Sequence, residues 1–208
     1  MDNQKIKPDV IIFDLFGTLV DFGIQRHPYR ELMKYARNNG RKPLPGDART
    51  IMTIDGDIRH VADQMGINAP ETLILKLIED IDFELESLAV FNDVIPVLQH
   101  LQKQNCRVAI CSNLAKPYGS VIERFFSQYA VKKFLSYQRG FIKPETAMYS
   151  SITSAMNVKP ECCLFVGDTY IADVLGPQQI GMNSIHLCRA NSGQKNNIGS
   201  LSSLLKIF

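Results

Sequence analysis

Four places in this chain combine side chains suited to chemistry on an anionic group. Asp14 closes the apolar run Val10–Phe13 and is followed by Gly17 and Thr18. Ser112 and Asn113 follow a second apolar run, and Lys143 stands before Pro144. Gly167, Asp168 and Thr169 follow a third run, with Asp173 a few residues on. Carboxylates gathered at one place repel one another unless a cation lies between them. An oxygen-only ligand set suits Mg²⁺, which binds through one or two carboxylates plus substrate phosphate and water. A serine hydroxyl can donate to a phosphoryl oxygen, and a lysine can offset the charge of substrate and nucleophile. Backbone N–H groups around Gly17 and Thr18 can cradle an anion in a turn. One expected group is missing: two residues after Asp14, where a second carboxylate could serve as general acid, the chain has Phe16.

Elements that bring these positions together are legible in the hydrophobic pattern. Apolar, β-branched runs at Val10–Phe13, Arg107–Cys111, Cys163–Val166 and Asn183–Leu187 read as strands, with a weaker one at Phe134–Tyr137. Val94–Gln104 repeats apolar residues at helical spacing. Lys116–Gln128, Thr146–Met156 and a short Val174–Gly181 look similar. Strands alternating with helices imply parallel crossovers and a sheet covered on both faces, where ligands bind beyond the C-terminal strand ends. Each candidate residue follows its own strand. Singly, each has an ordinary structural explanation: a strand-end or capping carboxylate, a turn-forming Ser-Asn pair, a solvated lysine. The four in this order point to a shared site.

From about Phe22 to Phe91 the rhythm breaks, with no convincing strand. Gln25–Asn38, Asp55–Gln64 and Glu71–Leu88 read as helices, with Arg41–Asp47 as a loop. The expected organisation is a core of residues 1–21 and 92–208 carrying a helical cap, 22–91. Ala190–Gly199 reads as a polar loop and Ser200–Phe208 as a final short helix.

Composition narrows the class. The chain has 208 residues, 45% hydrophobic and 21% charged, which argues against disorder. A net charge of +2 gives no reason to expect a nucleic-acid or membrane partner. No secretory h-region or membrane-length apolar run is visible, so a cytoplasmic protein is expected. Cys106, Cys111, Cys162, Cys163 and Cys188 show no zinc-type spacing and read as small buried hydrophobes.

The motifs resemble those of the haloacid dehalogenase-like (HAD) hydrolase superfamily. Asp14-Leu-Phe-Gly-Thr-Leu is similar to its first motif, Ser112-Asn113 to the second and Lys143-Pro144 to the third. Gly167-Asp168-Thr169 with Asp173 is similar to the fourth, and the helical insert resembles the C1 cap of subfamily I. The resemblance implies a Rossmann-like α/β fold and a covalent aspartyl intermediate at Asp14. It implies Mg²⁺ held by Asp14, the Phe16 carbonyl and Asp168, with Asp173 as ligand or immediate neighbour. Thr18 and Ser112 would bind the phosphoryl group, Asn113 would belong to the same site, and Lys143 would orient Asp14.

The implied activity is a Mg²⁺-dependent phosphatase acting on a small phosphorylated metabolite, as a monomer or homodimer. Phe16 keeps other readings open, since general acid–base help is typically worth about 10²–10⁴-fold. Asp21, His27 or the substrate could supply the proton. A 2-haloacid dehalogenase needs no such acid, but the resemblance there would require Ser and Asn in the fourth motif. A phosphonatase would need a cap lysine such as Lys34 or Lys42. A HAD-fold binding protein without turnover also fits the missing acid. Arg26, His27, Arg30, Arg59 and His60 are cap residues that could meet an anion on closure or merely form a solvated face.

Overall fold

The computed structural model describes residues 8–190 and 197–207. β1 (Val10–Phe13) is buried along its whole length. A turn then leads to β2 (Val20–Asp21), which begins an excursion of four helices: α1 (Pro28–Asn38), α2 (Asp47–Thr53), α3 (Ile58–Gln64) and α4 (Glu71–Ser87). The chain returns through β3 (Ala89–Val90), antiparallel to β2 in the register Val20 to Val90. Alternation follows: α5 (Val94–Lys103), β4 (Arg107–Ser112), a 3₁₀ turn at Lys116–Gly119, α6 (Ser120–Phe126), β5 (Val131–Leu135), α7 (Ser136–Arg139) and α8 (Thr146–Met156). A 3₁₀ turn at Pro160–Cys162, β6 (Cys163–Gly167), a π-helical turn at Tyr170–Leu175, α9 (Gly176–Gln178), β7 (Asn183–Leu187), β8 (Asn197–Ile198) and a 3₁₀ helix at Leu201–Lys206 complete it.

The main sheet has six strands in the order β5-β4-β1-β6-β7-β8, and every pairing is parallel. β1 lies between β4 and β6, with Val10 opposite both Arg107 and Cys163. Chain order reverses across β1, so its C-terminal end lies at the switch point where open parallel sheets bind ligands. Side chains alternate between the two faces, as the strand period of two requires. Ile11 and Phe13 pack with Ile110, Val166 and the apolar stripe Val94, Val97, Leu98 and Leu101 of α5. Val10 and Ile12 pack on the other face with Ala109, Phe165 and Tyr149, Ile152 and Met156 of α8. Both faces are covered, which is why these strands read as unbroken apolar runs.

The helical excursion shares the first of these apolar clusters: Leu32, Ile58, Val61 and Leu77 are continuous with Phe13, Leu19 and Ile110. Polar contacts also seat it on the sheet side. The Arg49 guanidinium donates to the Glu145 carboxylate at 2.6 Å and to the Gly140 carbonyl at 2.9 Å. Lys116 pairs with Asp55 at 2.9 Å, and the buried Ser136 hydroxyl donates to the Met52 carbonyl at 2.6 Å.

The fold class matches the expectation, and several boundaries are corrected. The weak strand lies at Val131–Leu135, not Phe134–Tyr137, and Tyr137 is helical. It is an edge strand, so Lys132 and Lys133 sit within it and hide its apolar pattern. The 22–91 segment contains an extra helix, α2, and a strand, β3. The Lys116–Gln128 helix begins as a 3₁₀ turn and ends at Phe126. The Val174–Gly181 helix is instead the π-helical turn from Tyr170 followed by short α9. The Ala190–Gly199 loop lies partly outside the described residues, and its end pairs as β8. The Ser200–Phe208 helix is 3₁₀ at Leu201–Lys206, and Phe208 lies outside the described residues.

Tyr149 of α8 ties the π-helical turn to the sheet, its buried hydroxyl donating to the Ala172 carbonyl at 2.6 Å. Tyr149→Phe leaves that carbonyl unpaired. It is expected to lower unfolding free energy by about 1–2 kcal/mol, read as a lower urea midpoint with unchanged slope.

Candidate active site

Asp14 emerges from β1 at the switch point and its N–H donates to the Val166 carbonyl, which clamps it to the neighbouring strand at 3.0 Å. The chain turns at once: Gly17 N–H donates to the Val20 carbonyl at 2.8 Å and Val20 N–H to the Leu15 carbonyl at 2.9 Å. The Phe16 carbonyl takes no part in either bond. Gly17 has φ +81°, and a Cβ there would come within 2.2 Å of the Asp168 carboxylate. Only glycine lets the first turn and the Asp168 side chain approach so closely. Gly167 plays the same part for Asp173, whose carboxylate lies 2.3 Å from where a Cβ would be.

Lys143 is the centre of the constellation. Its buried ammonium donates to Asp14 Oδ1 and to Asp173 Oδ1, each at 2.7 Å. Asn113 sets the lysine's backbone: the Lys143 N–H donates to Asn113 Oδ1 at 2.7 Å, and Asn113 Nδ2 donates to the Lys143 carbonyl at 2.8 Å. The Asn113 amide is thus committed to positioning. Asp173 is also committed, since its second oxygen accepts the Thr169 N–H at 2.9 Å. Asp168 stays exposed.

Burial acts first on the ionisation of these groups. It pushes the Asp14 carboxyl up to about 6; Lys143 opposes the rise, while Asp173 and Asp168 add to it. Burial disfavours the charge on Lys143, but Asp14 and Asp173 outweigh it and push its pKa up, so the lysine stays protonated. Asp168 is raised by partial desolvation and by the Asp173 charge. Burial raises the Cys111 thiol to about 12, leaving it an inert apolar group beside the site. Cys111 and Cys163 are buried as expected, whereas Cys106, Cys162 and Cys188 are only partly buried.

Oxygens of Asp14, Asp168 and Asp173 all lie within 4.8 Å of one another. This all-oxygen set suits Mg²⁺. Asp14 keeps an oxygen not bonded to Lys143, and neither oxygen of Asp168 is bonded to it. Ser112 ends β4, buried, and Thr18 is wholly buried with a hydroxyl that has no hydrogen-bond partner. Of the candidate residues taken from the sequence, Asp14, Asp168 and Asp173 lie together, Lys143 joins Asp14 to Asp173, and Asn113 holds Lys143.

The cations of the helical excursion behave differently. Arg26 pairs with Asp80 at 2.9 Å and lies over the Phe83 ring, and Arg59 pairs with Glu71. Lys34 pairs with Glu31 at 3.3 Å on the surface. His27 and Arg30 line a cavity of about 450 Å³ beside the strand ends, together with Phe16, Tyr118 and Asn113.

Sequence reading missed Arg189. Its guanidinium donates to the Thr18 carbonyl at 2.7 Å, pairs with Asp93 at 3.0 and 3.1 Å, and lies over the Phe91 ring. Its position two residues beyond β7 was the available signal. The reading also missed Glu84, buried on α4, which accepts from the Arg26 and His27 N–H groups at 2.6 and 2.7 Å and from the Tyr118 hydroxyl.

A parallel α/β sheet with acidic and basic groups converging at its switch point is the plan of a hydrolase with a Rossmann-like core. The family model for haloacid dehalogenase-like hydrolases matches residues 8–181, and the chain belongs to that family. A glyceraldehyde 3-phosphate phosphatase of Methanopyrus kandleri is 24% identical over 201 residues, covering 86% of this chain and 83% of the relative. The magnesium-bound HAD-hydrolase YfnB of Bacillus subtilis superposes with a TM-score of 0.65 at 18% identity, covering 97% of this chain and 98% of that one. A 2-haloacid dehalogenase of Pseudomonas syringae superposes with a TM-score of 0.63 at 19% identity, covering 95% and 96%. At these identities the two structures speak for the fold alone. No helix among the described residues is long and apolar enough to cross a membrane.

The raised Asp14 carboxyl yields a stability prediction. A native pKa of about 6 against an ordinary 3.8 means the folded state holds this proton more tightly, so deprotonation costs stability as pH rises through that window. Asp14→Asn removes the cost. In metal-free buffer at pH 7–8 the variant is expected to be more stable than the parent by roughly 1–3 kcal/mol, with the gain fading toward pH 4. Paired denaturant titrations across pH check this; a gain that persists at pH 4 contradicts the assignment.

Proposed function

We propose that the chain is a Mg²⁺-dependent phosphatase that acts on a small phosphorylated molecule through a phosphorylated Asp14. The observation that carries this reading is the Asp14–Lys143–Asp173 chain of contacts with Asp168 alongside, at the switch point of the sheet. The phosphatase name of the Methanopyrus kandleri relative supports it, and the magnesium-bound Bacillus subtilis structure is consistent with it.

Asp14, the Phe16 carbonyl and Asp168 would hold Mg²⁺, with Asp173 behind Lys143. The bound ion would neutralise charge on the phosphoryl oxygens. Lys143 holds the Asp14 carboxylate through Oδ1 and so fixes its orientation. An Asp14 O–P bond forms as the P–O bond of the ester breaks, and water then splits the acyl phosphate. Lys143 offsets the charge that gathers on Asp14 and the phosphoryl group. The Ser112 and Thr18 hydroxyls are the donors available to phosphoryl oxygens. The departing alkoxide needs a proton, and Phe16 has none to give.

That gap favours good leaving groups. It is also the observation that keeps the dehalogenase reading in view, since a halide departs without a proton. The three gathered carboxylates weigh against that reading, because they call for a cation that halide displacement does not use. A binding protein without turnover would retain the same ligands.

Hydrolysis of p-nitrophenyl phosphate is expected to require Mg²⁺ and to be abolished in Asp14→Asn. Metal-independent halide release from 2-chloropropionate, without phosphatase activity, would replace this reading with the dehalogenase. Phe16→Asp is expected to raise turnover of alkyl phosphates by about 10-fold or more relative to aryl ones, measured as the ratio of kcat values. An unchanged ratio means that another group already supplies the proton.

A further inference from the structure

The cavity beside the strand ends measures about 450 Å³, and its apolar wall is formed by Phe16, Phe22, Tyr29, Ile51, Met52 and Tyr118. Phe16 stacks on Phe22 with ring centroids 4.5 Å apart and planes 24° apart. The Tyr118 ring stands edge-on to both, at 6.0 and 6.1 Å. Glu84 and Asn113 on this wall are already engaged, while the exposed Gln25, His27 and Arg30 complete the lining. Glu84 accepts from Tyr118 and from two backbone N–H groups, and the Asn113 amide is committed to Lys143. A polyol placed against the rings of Phe16, Phe22 and Tyr118 would lose hydration that this face does not replace. An aromatic ring finds surface of its own kind.

One polar atom stands apart. The Tyr29 hydroxyl is buried without a hydrogen-bond partner. Burial raises its pKa, so it keeps its proton. The cavity also adjoins the chemistry: Phe16 is two residues from Asp14, and Asn113 is bonded to Lys143. Phe16 thus has two effects. It removes the expected proton donor, and it supplies an aromatic face next to the nucleophile.

We propose that the cavity receives the aromatic group of an aryl phosphate monoester. Resting on the phosphatase reading above, this names the class of leaving group. A phenolate is a far weaker base than an alkoxide and departs without the acid that Phe16 replaces. The pocket shape and the missing acid then select the same substrate.

The test separates binding from turnover. With the Mg²⁺-loaded protein, calorimetry compares methylphosphonate with 1-naphthylmethylphosphonate, neither of which can be hydrolysed. The naphthyl compound is expected to bind about tenfold more tightly or better, and Phe22→Leu is expected to narrow that ratio. Equal affinity of the two phosphonates for the parent protein overturns the proposal without any variant. Acetyl phosphate, whose small acyl group leaves without a proton donor, reports the core chemistry independently. Its turnover alongside equal phosphonate affinities would remove only the aromatic proposal. A naphthyl preference with no turnover of acetyl or 1-naphthyl phosphate would remove the phosphatase reading and keep the aromatic ligand.

Discussion

One buried ammonium governs this site. The Lys143 ammonium lies between the buried carboxylates of Asp14 and Asp173, 2.7 Å from each, and supplies the positive charge they share. Much of the local architecture serves that bridge. Asn113 grips the lysine's backbone from the end of β4, Tyr149 secures the π-helical turn that carries Asp173, and Val166 clamps Asp14 to β6. When all are ionised, three carboxylates against one ammonium leave the cluster two charges negative. Binding of a divalent cation would relieve that imbalance, so the apoprotein carries an electrostatic cost that follows from its own geometry.

The parts legible in the sequence share a physical cause. β1, β4 and β6 were readable because parallel strands covered on both faces must be nearly all apolar, and strand ends in such sheets are where polar groups gather. Asp14, Ser112 and Asp168 followed from that rule, whereas Lys143 lies beyond α7 rather than at the end of β5. β5 was misplaced because an edge strand tolerates lysines. α2 was missed because it has no buried residue to create a periodic stripe, and it follows the Pro- and Gly-rich Arg41–Asp47 stretch. The contacts of Arg189 and Glu84 were not legible for another reason. Their partners lie far away in the chain, and no local pattern announces a contact between Arg189 and Thr18 or between Glu84 and Tyr118.

Phe16 shows how a single side chain can be judged differently by sequence and by structure. In the sequence it is a gap, a position where a proton donor is wanting. In the structure it is a packed aromatic in contact with Phe22 and Tyr118, and its carbonyl remains free of the turn's own hydrogen bonds. Main chain and side chain therefore serve separate ends, and substitution at this position alters the wall of the cavity while leaving the carbonyl available.

The short ribbon of β2 and β3 has a consequence for how such a chain diverges. The backbone departs at Val20 and comes back at Val90 as hydrogen-bonded neighbours, so the two ends of a long excursion are already joined. Lengthening or shortening what lies between them changes loop-closure entropy only slowly and leaves the pairing of the large sheet untouched. Descendants of such a sequence can therefore remodel the helices over the cavity by insertion and deletion while the strand ends, and the charges they hold, keep their register.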